Sequence, residues 1–286
     1  MQYREYGSSG VSLSVVGFGG ICVKDESEDD AKRMVDTARE RGINYFDVAP
    51  GYGNAEARLG PALEPHRKDV FLACKTLERF EDGAHKDLQN SLERLRTNSL
   101  DLYQLHAIET DEDVDRILGP GGVLKYLDDL KSNGTIRFTG FSAHNELAAI
   151  RLLDAYNFDS VLFPINWVTW YGGGIGQEIS RVTQSRGTSL LALKALALRR
   201  WKDGEARTWS KTWYKPADSP ELVERALRFT LSKAVTSAVS PGHEELLWLA
   251  CDAADRLRPL TVEEQSALAN GARDIEPVFS QQVTSL

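Results

Sequence analysis

The stretch FDVAPGYG, Phe46 to Gly53, decides the fold prediction for this chain. It ends an apolar, strand-like segment with a carboxylate, Asp47, and places a phenol, Tyr52, in the loop that follows. The next two strand-like segments also end in polar residues, Lys75 in VFLACKT and His106 in DLYQLHA. In a parallel barrel the carboxyl ends of all strands meet at one face, so we expect these four side chains to converge there.

A strand-then-helix rhythm extends along the chain on both sides of this stretch and predicts repeated β/α units. An open doubly wound sheet is the competing architecture, and its dinucleotide signature is GxGxxG after the first strand. This chain has GFGG at positions 17–20 instead, so we predict a closed (β/α)8 TIM barrel of the α/β class. The eight predicted barrel strands are Val15–Phe18, Asn44–Val48, Val70–Lys75, Leu100–His106, Ile136–Ser142, Ser160–Ile165, Ser189–Leu196 and Val235–Ser240.

Segments outside this rhythm predict additions to the barrel. Alternating residues around a turn at 8–10 predict an N-terminal β-hairpin, and a capping-box pattern from Thr261 predicts an extra C-terminal helix. The long interval before Ser219 is rich in tryptophan, and we expect an extended loop over the mouth of the barrel. No linker or repeat divides residues 1–286, so we predict a single domain.

The composition excludes several classes of protein. A net charge of -8 and a pI near 5.3 disfavour nucleic acid as a partner, because phosphate binding needs a basic face. Three scattered cysteines form no metal-ligand pattern and are typical of a reducing cytoplasm. With no signal-peptide pattern and no apolar run of about 20 residues, we predict a cytoplasmic protein with no membrane partner; its oligomeric state is not predicted.

Together the four polar groups can deliver a proton to a carbonyl oxygen. A free tyrosine has a pKa of about 10. The Lys75 ammonium would lower the pKa of Tyr52 by stabilising phenolate, and Asp47 would keep that ammonium charged and in place. His106 would orient the carbonyl oxygen. Each residue alone also has an ordinary structural role, but type, order and strand-end position together match one mechanism. No amino acid donates a hydride, so the reaction also needs a cofactor such as a reduced nicotinamide.

The chain resembles the aldo-keto reductase superfamily from Gly7 to about Asp255. The family pattern Asp-x-Ala-x-x-Tyr-Gly stands here at 47–53, and Lys75-Thr76 resembles the catalytic-lysine strand. SLERLRTNSLDLYQLH, GTIRFTGFS, PIN and SPG resemble later family segments. The resemblance implies an eight-stranded barrel and NAD(P)H-dependent reduction of a small carbonyl or sugar-like substrate, with Tyr52 as proton donor assisted by Lys75, Asp47 and His106. The cofactor-binding positions that we take from it are Gly19, Gly20, Ser142, His144, Asn166, Lys194, Ser240 and Gly242.

The sequence departs from the family where the cofactor is usually held. Ser142-Ala143-His144 stands where many relatives have Ser-Asn, and Leu162 stands where a glutamine is common. Leu193 and Lys194 stand where an aromatic residue usually stacks on the nicotinamide. His144 either faces the cofactor or caps the following helix. The segments GFSAH and LKAL resemble a branch of the family that often carries a C-terminal iron–sulfur segment. The group of cysteines that would bind the iron–sulfur cluster is missing here, so we predict no cluster and no metal.

The choice of cofactor and of substrate stays open at this point. After Gly242 the chain reads HEELL, without the arginine that typically receives the 2′-phosphate of NADPH; NADP(H) is the family default, and NAD(H) stays open. Two alternatives to carbonyl reduction are NAD-dependent oxidation of a sugar or polyol and a nicotinamide-binding regulatory or sensing subunit. The aromatic residues that we expect in the substrate pocket are Trp167, Trp170, Tyr171 and Trp213.

Overall fold

The computed structural model describes residues 1–281 and contains a closed parallel β-barrel surrounded by helices. Eight parallel strands stand in chain order around the barrel, and the last pairs with the first, which confirms the predicted (β/α)8 fold. Each predicted strand overlaps an observed one, and no strand end differs by more than three residues. The barrel strands are β3 (Val16–Gly19), β4 (Tyr45–Asp47), β5 (Phe71–Thr76), β6 (Leu100–Ile108), β7 (Ile136–Ala143), β8 (Ser160–Pro164), β9 (Ser189–Leu193) and β12 (Val235–Val239).

The helices begin where the sequence supplies capping residues. Side-chain oxygens of Ser27, Asn145 and Ser219 accept backbone N–H bonds in the first turns of α1, α6 and α9. Thr261 and Glu264 form a capping box at the start of α11, the predicted extra helix. The helices are α1 (Glu28–Glu40), α2 (Ala55–Leu63), α3 (Glu81–Arg94), α4 (Asp111–Leu118), α5 (Leu124–Ser132), α6 (Glu146–Ala155), α7 (Trp167–Tyr171), α8 (Gln177–Arg186), α9 (Pro220–Leu231), α10 (Glu244–Asp255) and α11 (Val262–Gly271).

The predicted N-terminal hairpin is present, and it closes the amino end of the barrel. Its strands β1 (Tyr3–Glu5) and β2 (Ser12–Ser14) pair antiparallel. Tyr6 and Leu13 are buried, and the Tyr6 ring lies 5.2 Å from that of Phe71 at the start of β5. These residues extend the apolar cluster inside the barrel, so this end is sealed by packing.

The long segment after β9 is more ordered than the predicted extended loop. It contains a second two-stranded sheet, β10 (Ala197–Arg200) with β11 (Tyr214–Pro216). Between them the Trp201 indole donates to the Thr212 carbonyl, and Trp209 donates to Asp218. Internal strand pairing and indole hydrogen bonds therefore fix this segment, a form of order that composition alone does not reveal.

The C-terminal segment returns to the barrel mouth. The Gln281 backbone N–H donates to Gly173 O at 2.8 Å, and Phe279 packs against residues after β7 and β9. Within residues 1–281, no helix is long and apolar enough to cross a bilayer.

Candidate active site

A cavity of about 250 Å³ opens at the carboxyl ends of the barrel strands. Asp47 ends β4, Lys75 is the penultimate residue of β5, His106 lies near the end of β6, and Tyr52 follows β4. All four line this one cavity, as convergence of parallel strands requires. A broader recess of about 520 Å³ near Tyr6 at the amino end contains none of them.

The Asp47–Lys75 ion pair lies at the base of the cavity. Both side chains are almost fully buried, and the ammonium donates to an Asp47 carboxylate oxygen and to Val48 O at 3.1 Å. The second Asp47 oxygen accepts from Gln104 Nε2 at 3.0 Å and from the Tyr45 hydroxyl at 3.1 Å. A buried charge pair needs this many hydrogen bonds to offset the loss of hydration.

The pKa of Tyr52 is set by opposing effects. Burial raises this pKa most, Lys75 lowers it, and Asp47 raises it further, so the phenol's pKa lies above its usual value. The Lys75 Nζ is 5.3 Å from the centre of the Tyr52 ring. The predicted lowering by Lys75 is present, but burial outweighs it. Burial lowers the pKa of Lys75, while Asp47 and Tyr52 raise it more, so the ammonium stays charged.

His106 reaches the cavity from a bulge in β6. The register of β6 against β7 shifts between Leu105 and Ile108, and Ala107 adopts a left-handed φ of 56°. Arg79 holds the bulge by donating to the carbonyl oxygens of His106 at 2.9 Å and Ala107 at 3.2 Å. The His106 ring lies 6.0 Å from that of Tyr52, edge to face.

The pKa of His106 is lowered to about 3, mainly by burial and then by repulsion from Lys75 and other neighbouring cations. The imidazole is therefore neutral near pH 7. A neutral ring can donate or accept a hydrogen bond at the phenol or at a bound oxygen, but it cannot be the acid.

The cavity wall at β7 contains Ser142 and His144. The Ser142 hydroxyl accepts from Ala107 N at 2.8 Å. The His144 ring lies against Phe279, and its nitrogens contact Glu109 at 2.9 Å and Lys194 at 3.3 Å. Asn145, not His144, caps the following helix.

Other predicted cofactor positions are divided between the cavity and its surroundings. Gly19, Lys194, Ser240 and Gly242 line the cavity. Asn166 does not; it caps α7 and donates to Lys194 O at 3.2 Å. Gly20 also lies outside the lining, packed so closely on Val48 that a Cβ would collide with it.

Of the aromatic residues predicted for the substrate pocket, Trp213 alone among the four lines the cavity. Trp167 is buried outside the lining, and Trp170 and Tyr171 pack on Phe229 of α9. The short helix α7 turns these three side chains away from the mouth. Tyr214 from β11 lines the cavity instead.

Sequence reasoning missed the residues that support the site. A period-two reading of the strands would find two of them, because Tyr45 and Gln104 lie two residues before Asp47 and His106 on the same faces. Arg79 gives no such signal, since its contacts at the bulge are 27 and 28 residues away along the chain.

Comparison with known proteins agrees with this architecture. The family model described as Aldo/keto reductase family matches residues 15–236. The uncharacterized oxidoreductase YqkF of Bacillus subtilis is 27% identical, over 94% of this chain and 95% of that protein. L-galactose dehydrogenase of Arabidopsis thaliana is 34% identical, over 50% of this chain and 48% of that protein.

A solved structure, the aldo-keto reductase AKR11C1 from Bacillus halodurans in its holo form, superimposes over 100% of both chains. Its TM-score is 0.77 and its sequence is 25% identical. Together with the matched family model and the barrel described above, this likeness gives the classification: the chain belongs to the aldo/keto reductase family and is an oxidoreductase.

Proposed function

We propose that the protein uses a reduced nicotinamide dinucleotide to reduce an aldehyde or ketone to an alcohol, with Tyr52 as the proton donor. The observation that carries this proposal is the shared cavity, in which Tyr52 lies beside the Lys75–Asp47 pair and the His106 ring. The reduced nicotinamide would supply the hydride, which no side chain can provide.

The electrostatics of the site suit a proton donor. Because the pKa of Tyr52 is above its usual value, the phenol is fully protonated before reaction. The adjacent Lys75 ammonium stabilises the phenolate that remains after proton transfer. Neutral His106 is left to hydrogen-bond the substrate oxygen, and Asp47 keeps Lys75 in place. In the reverse reaction the same groups would serve the oxidation of an alcohol by the oxidised nicotinamide. Oxidation of a sugar or polyol therefore stays as the alternative.

The cavity rim offers binding groups for a dinucleotide. The N-cap of α10, His243, follows Gly242 directly and makes no side-chain cap. Among residues 1–281 no side chain caps the first-turn N–H groups of α10, which can therefore receive a phosphate. Lys211, Ser240 and Gly19 border the same part of the cavity. A side chain at Gly19 would collide with the Ser240 carbonyl, so glycine keeps the two loops together there.

The first turn of α10 supports NAD(H) over NADP(H). It carries Glu244 and Glu245 and no cation, and the exposed Glu245 carboxylate would repel a 2′-phosphate. The nearby cation Arg33 already binds Glu244 through both terminal nitrogens, at 2.5 and 2.9 Å.

The names of two relatives support a small sugar-like carbonyl as substrate. One is the L-galactose dehydrogenase above, and the other is the 6-dehydroglucose reductase of Novosphingobium aromaticivorans, 31% identical over 52% of this chain. Both likenesses cover about half of each relative, so they indicate a class of compound only.

The test is turnover of a carbonyl panel with NADH and NADPH by the wild type, Tyr52→Phe and the control Tyr171→Phe. Tyr171 is a tyrosine outside the cavity lining. We expect Tyr52→Phe to lower kcat by at least about 100-fold, the contribution of a positioned acid, while nucleotide affinity is kept. Wild-type turnover in Tyr52→Phe would remove the phenol from the mechanism. Nucleotide binding without turnover of any carbonyl by the wild type would favour the sensing subunit.

A further inference from the structure

Lys194 differs from the other lysines that line the cavity. The charge of Lys75 is matched by Asp47, and Lys211 binds Glu26 at 2.6 Å. Within residues 1–281, Lys194 makes no ion pair with a carboxylate; its polar side-chain contact is His144 Nε2 at 3.3 Å. Its ammonium also lies over the faces of Trp213 at 5.4 Å and Phe279 at 5.2 Å. Aromatic faces stabilise a cation but do not neutralise it.

The contact with His144 separates the Lys194 ammonium from the nearest carboxylate. Glu109 lies 2.9 Å from the Nδ1 of His144. With a proton on Nδ1, the Nε2 lone pair is free to accept from Lys194. The Glu109 carboxylate is thus held on the far side of the ring and contacts the imidazole, not the ammonium.

The backbone of Lys194 has an unusual conformation that fixes the position of its side chain. Its φ of 58° lies in the left-handed region, which is unfavourable for a residue with a long side chain. The strained turn is fixed at its carbonyl, which accepts from Asn166 Nδ2 at 3.2 Å and from Ala197 N at 2.9 Å. A strained residue held by such contacts points to function more than to folding.

The charge of Lys194 acts on the reacting groups. It contributes to the lowering of the pKa of His106. Burial is the main cause that lowers the pKa of Lys194 to about 7; Glu109 raises this pKa in part, and Lys75 lowers it further. An anion bound at Lys194 would offset both burial and repulsion, because an opposite charge favours the protonated amine.

We propose that Lys194 binds a carboxylate of the substrate, so that this protein prefers carbonyl compounds that carry an acid group, such as aldehydo acids and oxo acids. This inference rests on the proposed function and names its substrate class. The carbonyl end would lie at Tyr52 and His106, and the carboxylate at Lys194, within the same cavity.

A nucleotide phosphate is the other anion that could occupy this place. The side chain of Lys194 reaches toward β7, where it contacts His144. The groups suited to a phosphate are Lys211 and the start of α10, and they lie on another side of the cavity. The backbone N–H of Lys211 donates to His243 at the start of α10, and the Lys211 ammonium donates to Cys22 O, after β3. This separation favours the substrate carboxylate.

The experiment compares isosteric aldehydes, one charged and one neutral: 4-carboxybenzaldehyde with 4-formylbenzamide, and succinic semialdehyde with its amide. The measured quantity is the ratio of kcat/KM for the acid to kcat/KM for the amide, in which any common effect on the cofactor cancels. Variants are Lys194→Met, Lys194→Arg and the control Lys233→Met. Lys233 is a closely matched lysine, since its ammonium also lies over two aromatic rings, at 4.6 and 4.5 Å, but outside the cavity lining.

We expect the wild type and Lys233→Met to prefer the acids by about tenfold or more, equivalent to about 1.4 kcal/mol. Lys194→Met should bring the ratio to about one, and Lys194→Arg should keep much of the preference. A wild-type ratio near one, or a ratio unchanged in Lys194→Met, overturns the inference while leaving carbonyl reduction intact. Unchanged ratios with weakened NADH binding in Lys194→Met would assign the lysine to the nucleotide instead.

A binding measurement separates this inference from failure of the proposed function. If no carbonyl is turned over, titration calorimetry with benzoate and benzamide still tests the site. Benzoate binding that Lys194→Met abolishes would support a carboxylate site in a protein without reductase activity. Equal binding of benzoate and benzamide, or binding of neither, would overturn it.

Discussion

The two ends of the barrel are built from the same strands but are stabilised in different ways. Toward the amino end the strands place Tyr45, Ala73 and Leu102 in an apolar cluster closed by the hairpin. Two residues further along the same strands stand Asp47, Lys75 and Gln104, joined by ionic hydrogen bonds. Burial of apolar surface at the amino end stabilises the folded state, whereas burial of charge at the carboxyl end costs hydration free energy. Stability and chemistry are thus separated along each strand.

The largest expected effect comes from breaking the buried ion pair at the carboxyl end. Lys75→Met leaves the Asp47 carboxylate buried without its cation, which costs about 3–5 kcal/mol of the free energy of unfolding. Turnover should fall by at least about 1000-fold, because stabilisation of the phenolate is lost as well. Chemical denaturation and steady-state kinetics measure the two effects.

The double variant Lys75→Met/Asp47→Asn provides the control. Removing both charges should restore much of the stability, because no unpaired charge stays buried, while activity stays lost. If Lys75→Met were as stable as the wild type, burying the Asp47 carboxylate without its cation would not cost the expected free energy.

A substitution at the amino end should affect stability alone. Leu13 is fully buried between the hairpin and the barrel, and Leu13→Ala should lower the free energy of unfolding by about 2–4 kcal/mol. The kcat of the folded enzyme should stay within about twofold, since no cavity-lining residue moves. Activity assayed well below the new unfolding midpoint tests this, and a large loss of kcat there would show that the two ends are coupled.

Much of the contrast between the two barrel ends is predictable from the sequence, because strand periodicity and strand-end position depend on residues that are neighbours along the chain. The eight strands and the convergence of Asp47, Lys75 and His106 follow from such local patterns. Trp170 follows a barrel strand as closely as a pocket residue would, yet α7 turns it onto Phe229. The direction of a short helix depends on tertiary packing, which the local pattern does not contain.

Contacts between distant segments were equally inaccessible to sequence reasoning. Phe279 stacks on His144 from the far end of the chain, with ring centres 4.8 Å apart. Nothing in the residues near His144 indicates that it contacts Phe279. The local sequence leaves two equal alternatives for this side chain, facing the cofactor or capping the following helix. The neighbouring Asn145, which does cap the helix, is the more usual residue for that position.

The carboxyl end should also make stability depend on pH. The pKa of His106 is lowered to about 3 and that of His144 to about 4, whereas an unfolded histidine titrates near 6.5. As pH falls below about 6.5, the unfolded chain binds protons that the folded chain does not, so stability decreases. The slope is at most about 1.4 kcal/mol per pH unit for each histidine.

Denaturation of the wild type and of His106→Asn at pH 7, 6 and 5 measures this slope. The variant should lose less stability than the wild type between pH 7 and 5, whatever its stability at pH 7. Parallel curves for the two proteins would mean that His106 is not held neutral by the fold.

The smallest expected effect concerns the rim of the cavity, where charge is exposed to solvent. Glu245 lies in the first turn of α10, beside the proposed dinucleotide site. Glu245→Arg replaces repulsion of a 2′-phosphate by attraction, and for an exposed site at a helix start we expect the ratio of Kd for NADPH to Kd for NADH to fall by about threefold to tenfold. Fluorescence titration at low salt measures both constants. Glu263→Arg makes the same change of charge in the first turn of α11, away from the cavity lining, and should leave the ratio unchanged. An equal shift in both variants would reflect net charge alone and would remove α10 from the account of cofactor choice.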